Sequence, residues 1–209
     1  VQGYAGAGAW PGPAPAPANY VANTDVLRVS TALGQGTNVT GPMSGAGGAI
    51  PVNGNPAGVA TGNRLVVSDC ATAEIFTAGV VAANSVTPAA SLSKIYSTGA
   101  EVYPFMDTVY FIGTNPAGNP SLYRRQNGGA AEELVENVER MVLRFGVDTN
   151  TPIDYAVNVY QAAAVVADWR RAQSVRVNLV FRGNSNATTD AASAAAAYTV
   201  EGVATNPGD

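Results

Sequence analysis

Apolar and polar residues alternate most regularly in two segments of the second half of the chain. In the first segment the apolar positions are Met141, Leu143, Phe145 and Val147, and the polar ones include Arg140 and Arg144. In the second they are Val175, Val177, Leu179 and Phe181, with Arg176, Asn178 and Arg182 on the opposite face. A half-buried β-strand requires this period of two, because successive side chains point to opposite faces. The pattern predicts two similar strands.

The segment between these two strands has a different character. It begins with a polar turn over residues 148–154. An alanine-rich piece follows over residues 160–171, and its good helix formers predict a helix of about three turns. The whole unit is therefore predicted as strand, loop, short helix and strand.

Shorter strand signals precede this unit. Residues 25–31 alternate and predict the first strand, and residues 64–68 and 74–76 predict two short ones. Residues 108–112 and 121–125 flank a turn rich in Asn, Pro and Gly, which predicts a hairpin.

Three further segments carry weak or no strand signals. Residues 1–24 are rich in Gly, Ala and Pro and predict an extended arm. Apart from a short piece at 49–52, residues 34–62 contain too much Gly, Asn, Pro and Ser for regular structure and predict a long loop, which is either functional or mobile. The alanine run over residues 191–197 fits either a short helix or a loop into a last strand.

Composition narrows the fold class. The chain has 209 residues, of which 12% are charged, 23 are Gly and 13 are Pro, so an all-helical bundle is disfavoured. We predict a single β-rich globular domain over residues 25–209 behind the arm at 1–24. Its expected class is α+β, with mainly antiparallel β-sheet, long loops and one or two short helices.

Charge and the absence of histidine exclude several function classes. A net charge of -4 argues against binding to nucleic acid or to an anionic membrane, since both need clustered cations. Without His the chain cannot build a Ser-His-Asp nucleophile, a His-ligated zinc site or a His general base. We therefore predict a protein that is not an enzyme, with no catalytic residues, no cofactor and no metal.

Two patterns that could suggest catalysis have simpler interpretations. Ser91 and Lys94 have the Ser-x-x-Lys spacing of penicillin-recognising enzymes, but the Lys-Thr-Gly partner is absent, so a surface turn is predicted. A cluster of acidic residues could supply paired carboxylates for glycoside hydrolysis, but a solvated face is the simpler interpretation. The cluster consists of Glu132, Glu133, Glu136 and Glu139.

A few residues are candidates for binding. Asp148, Asn150 and Asp154 resemble part of a calcium loop, but the glycine and terminal Glu of an EF-hand are absent, so a turn capped by Asx side chains is favoured. Trp169 is predicted in the core rather than at an interface. Trp10, among Gly and Pro, is predicted to lie in a groove or to meet a partner.

An ordered set of segments resembles the PilW family of type IV pilus minor pilins. The C-terminal pieces are residues 134–138, 145–148, 168–169 and 174–182, the last reading Ser-Val-Arg-Val-Asn-Leu-Val-Phe-Arg. Upstream pieces at 1–4, 24–29 and 65–76 are similar to the family in the same order. No single motif is diagnostic, so the resemblance depends on the set.

The resemblance implies a pilin-like or pseudopilin-like globular domain that lacks the N-terminal helix. It leaves open whether the C-terminal strand is truncated. It implies a minor pilin that primes pilus assembly in a tip complex with other minor pilins and a large tip adhesin. The membrane would be contacted through the missing helix alone. The location would be the inner membrane and periplasm before assembly, then the pilus tip.

Cys70, the single cysteine, has two readings. It is either a small buried thiol or, as the resemblance implies for an oxidising periplasm, one half of a disulfide to the missing N-terminal region.

Two rival functions also remain open. One is a pseudopilin of a type II secretion system, and the other is a surface carbohydrate-binding or adhesin module.

Overall fold

The structure is a computed structural model that describes residues 1–55, 58–183 and 198–205. Of the residues, 48% lie in strands and 3% in helix. The strands form almost entirely antiparallel sheet, and the fold resembles a β-sandwich. The expected α+β, pilin-like class is therefore wrong. The described part of the chain contains no α-helix and no helix that is long and apolar enough to cross a membrane.

The alanine-rich piece explains much of this correction. It begins in a strand and then forms two 3-10 turns, Ala163–Val165 and Trp169–Arg171, instead of one helix. The Asp168 side chain accepts the Arg170 amide and so starts the second turn separately. Short isolated helices are marginal, so the packing of this segment decides its conformation over its propensity. The alanine run at 191–197 lies outside the described residues.

Fifteen strands are described. They are β1 Gln2–Tyr4, β2 Val26–Ala32, β3 Thr37–Asn38, β4 Ile50–Pro51, β5 Arg64–Ser68, β6 Ala73–Ala82, β7 Ser85–Pro88, β8 Glu101–Thr114, β9 Pro120–Gln126, β10 Ala131–Glu136, β11 Val138–Val147, β12 Val159–Gln161, β13 Ala172–Phe181, β14 Tyr198–Val200 and β15 Val203–Thr205. The predicted strands at 25–31, 141–147 and 175–181 are confirmed, as is the hairpin of β8 and β9.

The chain divides into two compact units, and the first comprises residues 1–29 and 108–209. One of its sheets has the order β1-β2-β8-β9-β10, and the other has the order β12-β11-β13. Leu27 and Ile112 from the first sheet pack with Leu143 and Phe145 from the second in one buried cluster. This unit is therefore a two-layer sandwich with its main core between the sheets.

The other face of the first sheet is covered by the proline-rich arm. Trp10 packs edge-on against Phe111, with 5.5 Å between the ring centroids. The buried Arg125 guanidinium donates to the carbonyl oxygens of Pro13 and Pro15. The arm is thus held by an aromatic contact and by charge-assisted hydrogen bonds.

The second unit comprises residues 30–107. Its strands follow the order β8-β5-β6-β7-β4, and β3 pairs with β8. The segment at 34–62 was predicted as a long loop apart from 49–52, and β4 lies in that short piece. The segment also contains the strand β3, which was not predicted, and it supplies Val39, Met43 and Ile50 to the core of this unit. The single domain predicted for residues 25–209 stays a prediction.

Candidate interaction site

Strand β13 lies at the edge of the three-stranded sheet of the first unit. It pairs with β11 from Val138 opposite Phe181 to Val147 opposite Ala172. Within the described residues, no strand pairs with its other side. Among the described strands, this ten-residue strand therefore presents one open edge.

The hydrogen bonds of β11 show which backbone groups of β13 point to that edge. The Leu143 amide donates to Asp25 Oδ2 at 2.8 Å, and the Met141 carbonyl accepts the Asp25 amide at 3.1 Å. These groups point away from β13, so the residues opposite them, Val177 and Leu179, do not bond to β11. Because bonding alternates along an antiparallel ladder, the N–H and C=O groups of Val177 and Leu179 face the open edge.

The core-facing side of β13 borders an apolar cleft of about 190 Å³. Six apolar or aromatic side chains line it: Leu27, Tyr110, Leu122, Met141, Val177 and Leu179. Val175 and Leu179 pack against the core, yet Val177 is 46% exposed and Phe181 58% exposed although the alternation places them on the same side. The sandwich interior is therefore open beside β13.

The outer side of the same sheet is rich in arginine. Arg144 and Arg176 lie directly opposite each other on β11 and β13. The Arg176 guanidinium stacks over the Tyr160 ring, with its carbon 3.5 Å from the centroid. A hydrogen bond from Ser174 and the nearby Arg176 charge lower the pKa of Tyr160. The open edge thus has an apolar face and a cationic face.

Cys70, the single cysteine of the chain, lies in a surface turn of the second unit. Its backbone is left-handed, with φ of 67°, and the Asp69 side chain accepts the Thr72 amide at 2.9 Å to close the turn. The thiol is exposed, so the buried-thiol interpretation is wrong. The disulfide predicted for Cys70 stays a prediction.

Asp148 organises the loop at residues 148–154, which resembles part of a calcium site in sequence. Its buried carboxylate accepts the amides of Asn150, Asp154 and Tyr155 at 2.7–2.9 Å. Desolvation raises the pKa of Asp148, but these three amides and the charge of Arg171 together lower it below its usual value. The carboxylate oxygens are engaged as an Asx-type cap, with Arg171 donating to the carbonyl oxygens of the loop.

The candidate catalytic residues have structural partners. Lys94 is paired with Asp69 and not with Ser91. In the acidic cluster, Glu132 pairs with Arg124 at 2.8 Å. Contrary to the solvated-face interpretation, Glu139 is 6% exposed. The remaining members, Glu133 and Glu136, accept hydrogen bonds from the Asn115 side chain.

The two tryptophans differ in their neighbours. Trp169 packs edge-on against Phe145 at 4.9 Å, beside the main core, as predicted. Trp10 is part of the arm and packs against Tyr20 of the arm and Phe111 of β8. The core position predicted for Trp169 is therefore confirmed, whereas a groove or partner contact of Trp10 stays a prediction. The sequence did not single out the edge of β13, because the alternation at 175–181 predicts a strand but not which strands pair with it.

Comparison with known proteins supports one assignment. Residues 109–209 match the model of the PilW family, described as type IV pilus-assembly protein W, which confirms the resemblance over this range. No curated protein and no solved structure matches the chain. The matched range contains the whole of β9 to β13 and so includes the open edge. The match indicates involvement in type IV pilus assembly and association with the envelope or the pilus.

Proposed function

We propose that this chain is a non-enzymatic minor pilin that primes type IV pilus assembly and sits in the tip complex. The open edge of β13, within the range that matches the PilW family, carries the proposal. Its partners would be other minor pilins and a large tip adhesin. The protein would work in the periplasm beside the inner membrane before assembly and at the extracellular pilus tip afterwards.

The mechanism is the addition of a strand to β13. A strand from a neighbouring subunit would bond to the outward N–H and C=O groups of Val177 and Leu179. Its side chains on the core side would cover the apolar cleft and the exposed parts of Val177 and Phe181. Backbone bonds supply affinity and burial of the cleft supplies the hydrophobic contribution, so assembly needs no reactive side chain.

A Val177→Pro variant tests this mechanism directly. Proline removes the N–H that faces the open edge, while the bonds from β13 to β11 stay intact because Val177 does not contribute to them. Val177→Ala is the matched control, since it retains the N–H. The assay is co-elution of the soluble domain with the pilus subunits encoded beside its gene, after urea unfolding has shown that both variants fold.

We expect the parent domain and Val177→Ala to co-elute with at least two subunits, and Val177→Pro to be lost from the complex. If the folded parent binds no subunit, the minor-pilin proposal is wrong. If Val177→Pro co-elutes as well as the parent, the complex forms by another surface and the β13 mechanism is wrong.

A further inference from the structure

The two faces of β13 restrict which strand can dock on it. An added strand would lie about 4.8 Å from β13, with its side chains alternating between the same two faces. On the core side they would meet Leu122, Val177 and Leu179, all of which line the cleft. A polar side chain there would lose its water without gaining a hydrogen-bond partner, so apolar residues are required at every second position.

The outer face requires the opposite charge. Arg144 and Arg176 are directly opposite, and like charges in this arrangement destabilise a sheet. Arg144 donates to the carbonyl oxygens of Leu143 and Glu201, and Arg176 stacks on Tyr160. Among the described residues, neither of them nor Arg140 forms an ion pair with a carboxylate. The neighbouring Arg182 does form one, to Glu139 at 2.9 Å. A carboxylate on the next strand would lie cross-strand from Arg176 and relieve the repulsion.

We infer that β13 accepts an extended segment of a partner subunit in which apolar residues alternate with Asp or Glu. This inference rests on the proposed function, because it specifies the partner of the same edge. The apolar positions fill the cleft and the acidic positions face the arginines of β11 and β13. A segment with Lys or Arg at the second set of positions is rejected.

Two capped eight-residue peptides test the inference on the whole domain. One alternates Val with Glu, and the other alternates Val with Lys. Titration followed by NMR measures affinity, and amide exchange locates the site. We expect the Val-Glu peptide to bind about fivefold or more tightly than the Val-Lys peptide, as expected for one or two cross-strand ion pairs. Binding should slow exchange at Val177 and Leu179, which face the open edge.

Charge reversal provides the matched control. Arg176→Glu should reverse the preference between the two peptides. Arg170→Glu changes the net charge equally outside the sheet, at a side chain that is 90% exposed, and should leave the preference unchanged. Equal affinity for both peptides, or binding without slower exchange at Val177 and Leu179, overturns the inference. So does slow exchange at these amides in the domain alone, which would show that the edge is already covered.

The outcomes also separate this inference from the proposed function. If the domain co-elutes with pilus subunits but neither peptide binds, the partner chemistry is wrong and the minor-pilin proposal stands. If the Val-Glu peptide binds as expected but no pilus subunit co-elutes, the edge is an acceptor for acidic strands and the minor-pilin proposal is wrong.

Discussion

Replacing Asp25 should cost the first unit a large part of its stability. Its two carboxylate oxygens accept the Gly6 and Leu143 amides, each at 2.8 Å, and its own amide donates to the Met141 carbonyl. Asp25 therefore takes the place of a pairing strand along β11 where β12 has ended. A hydrogen bond to a charged group contributes about 1.5–3 kcal/mol, and losing it leaves an unpaired donor.

From these contacts we expect Asp25→Ala to lower the free energy of unfolding by about 3 kcal/mol, since both accepted bonds are lost. Asp25→Asn retains one acceptor oxygen and should lose about half as much. Urea unfolding at neutral pH is the assay. Glu132→Gln is the control, because its exposed ion pair with Arg124 should contribute no more than about 0.5 kcal/mol. A loss for Asp25→Ala as small as that of the control would refute the assigned role.

Three further predictions follow from local contacts. Arg125→Met removes the bonds to the proline-rich arm and should cost about 2 kcal/mol in urea unfolding and speed proteolysis of the arm. A hydrogen bond from Lys94 holds the pKa of Asp69 at about 2. The ionised Asp69 therefore stabilises the fold above pH 4, and this stabilisation is lost as the pH falls towards 2. Lys94→Met should raise the pKa of Asp69, which NMR measures from the carboxyl carbon shift. Gly3→Ala places a Cβ 2.2 Å from the Phe145 ring and should cost about 2 kcal/mol in the same unfolding assay.

The strands could be predicted from the sequence because their signal is local. Alternation at 141–147 and 175–181 needs no knowledge of the partner strand, since each face reports its own burial. The helix prediction for residues 160–171, which used propensity and not alternation, was wrong. There the packing of Ala163 and Trp169 on the core outweighs a favourable helix propensity. Propensity decides where tertiary contacts are few, and here they are many.

The candidate site could be predicted only in part, because edges are a property of topology. The sequence shows that Val177 is apolar and Arg176 polar, but it does not show that β11 has β12 on one side and β13 on the other. Glu139 illustrates the same limit: a run of acidic residues predicts a solvated face, yet a β-bulge in β11 at this position accompanies its burial and its pairing with Arg182.

An open, apolar edge strand ordinarily carries a risk of pairing with its own copies. On β13 the cationic outer face acts against this, because two copies pairing edge to edge would bring Arg176 of each copy, and its neighbour Arg144, onto one outer surface. Like charges so close destabilise a sheet. A strand with carboxylates at these positions meets no such repulsion and gains attraction in its place. The same few arginines therefore oppose self-association and favour a partner strand that carries carboxylates. In this way one open edge can avoid aggregation and still bind a specific partner.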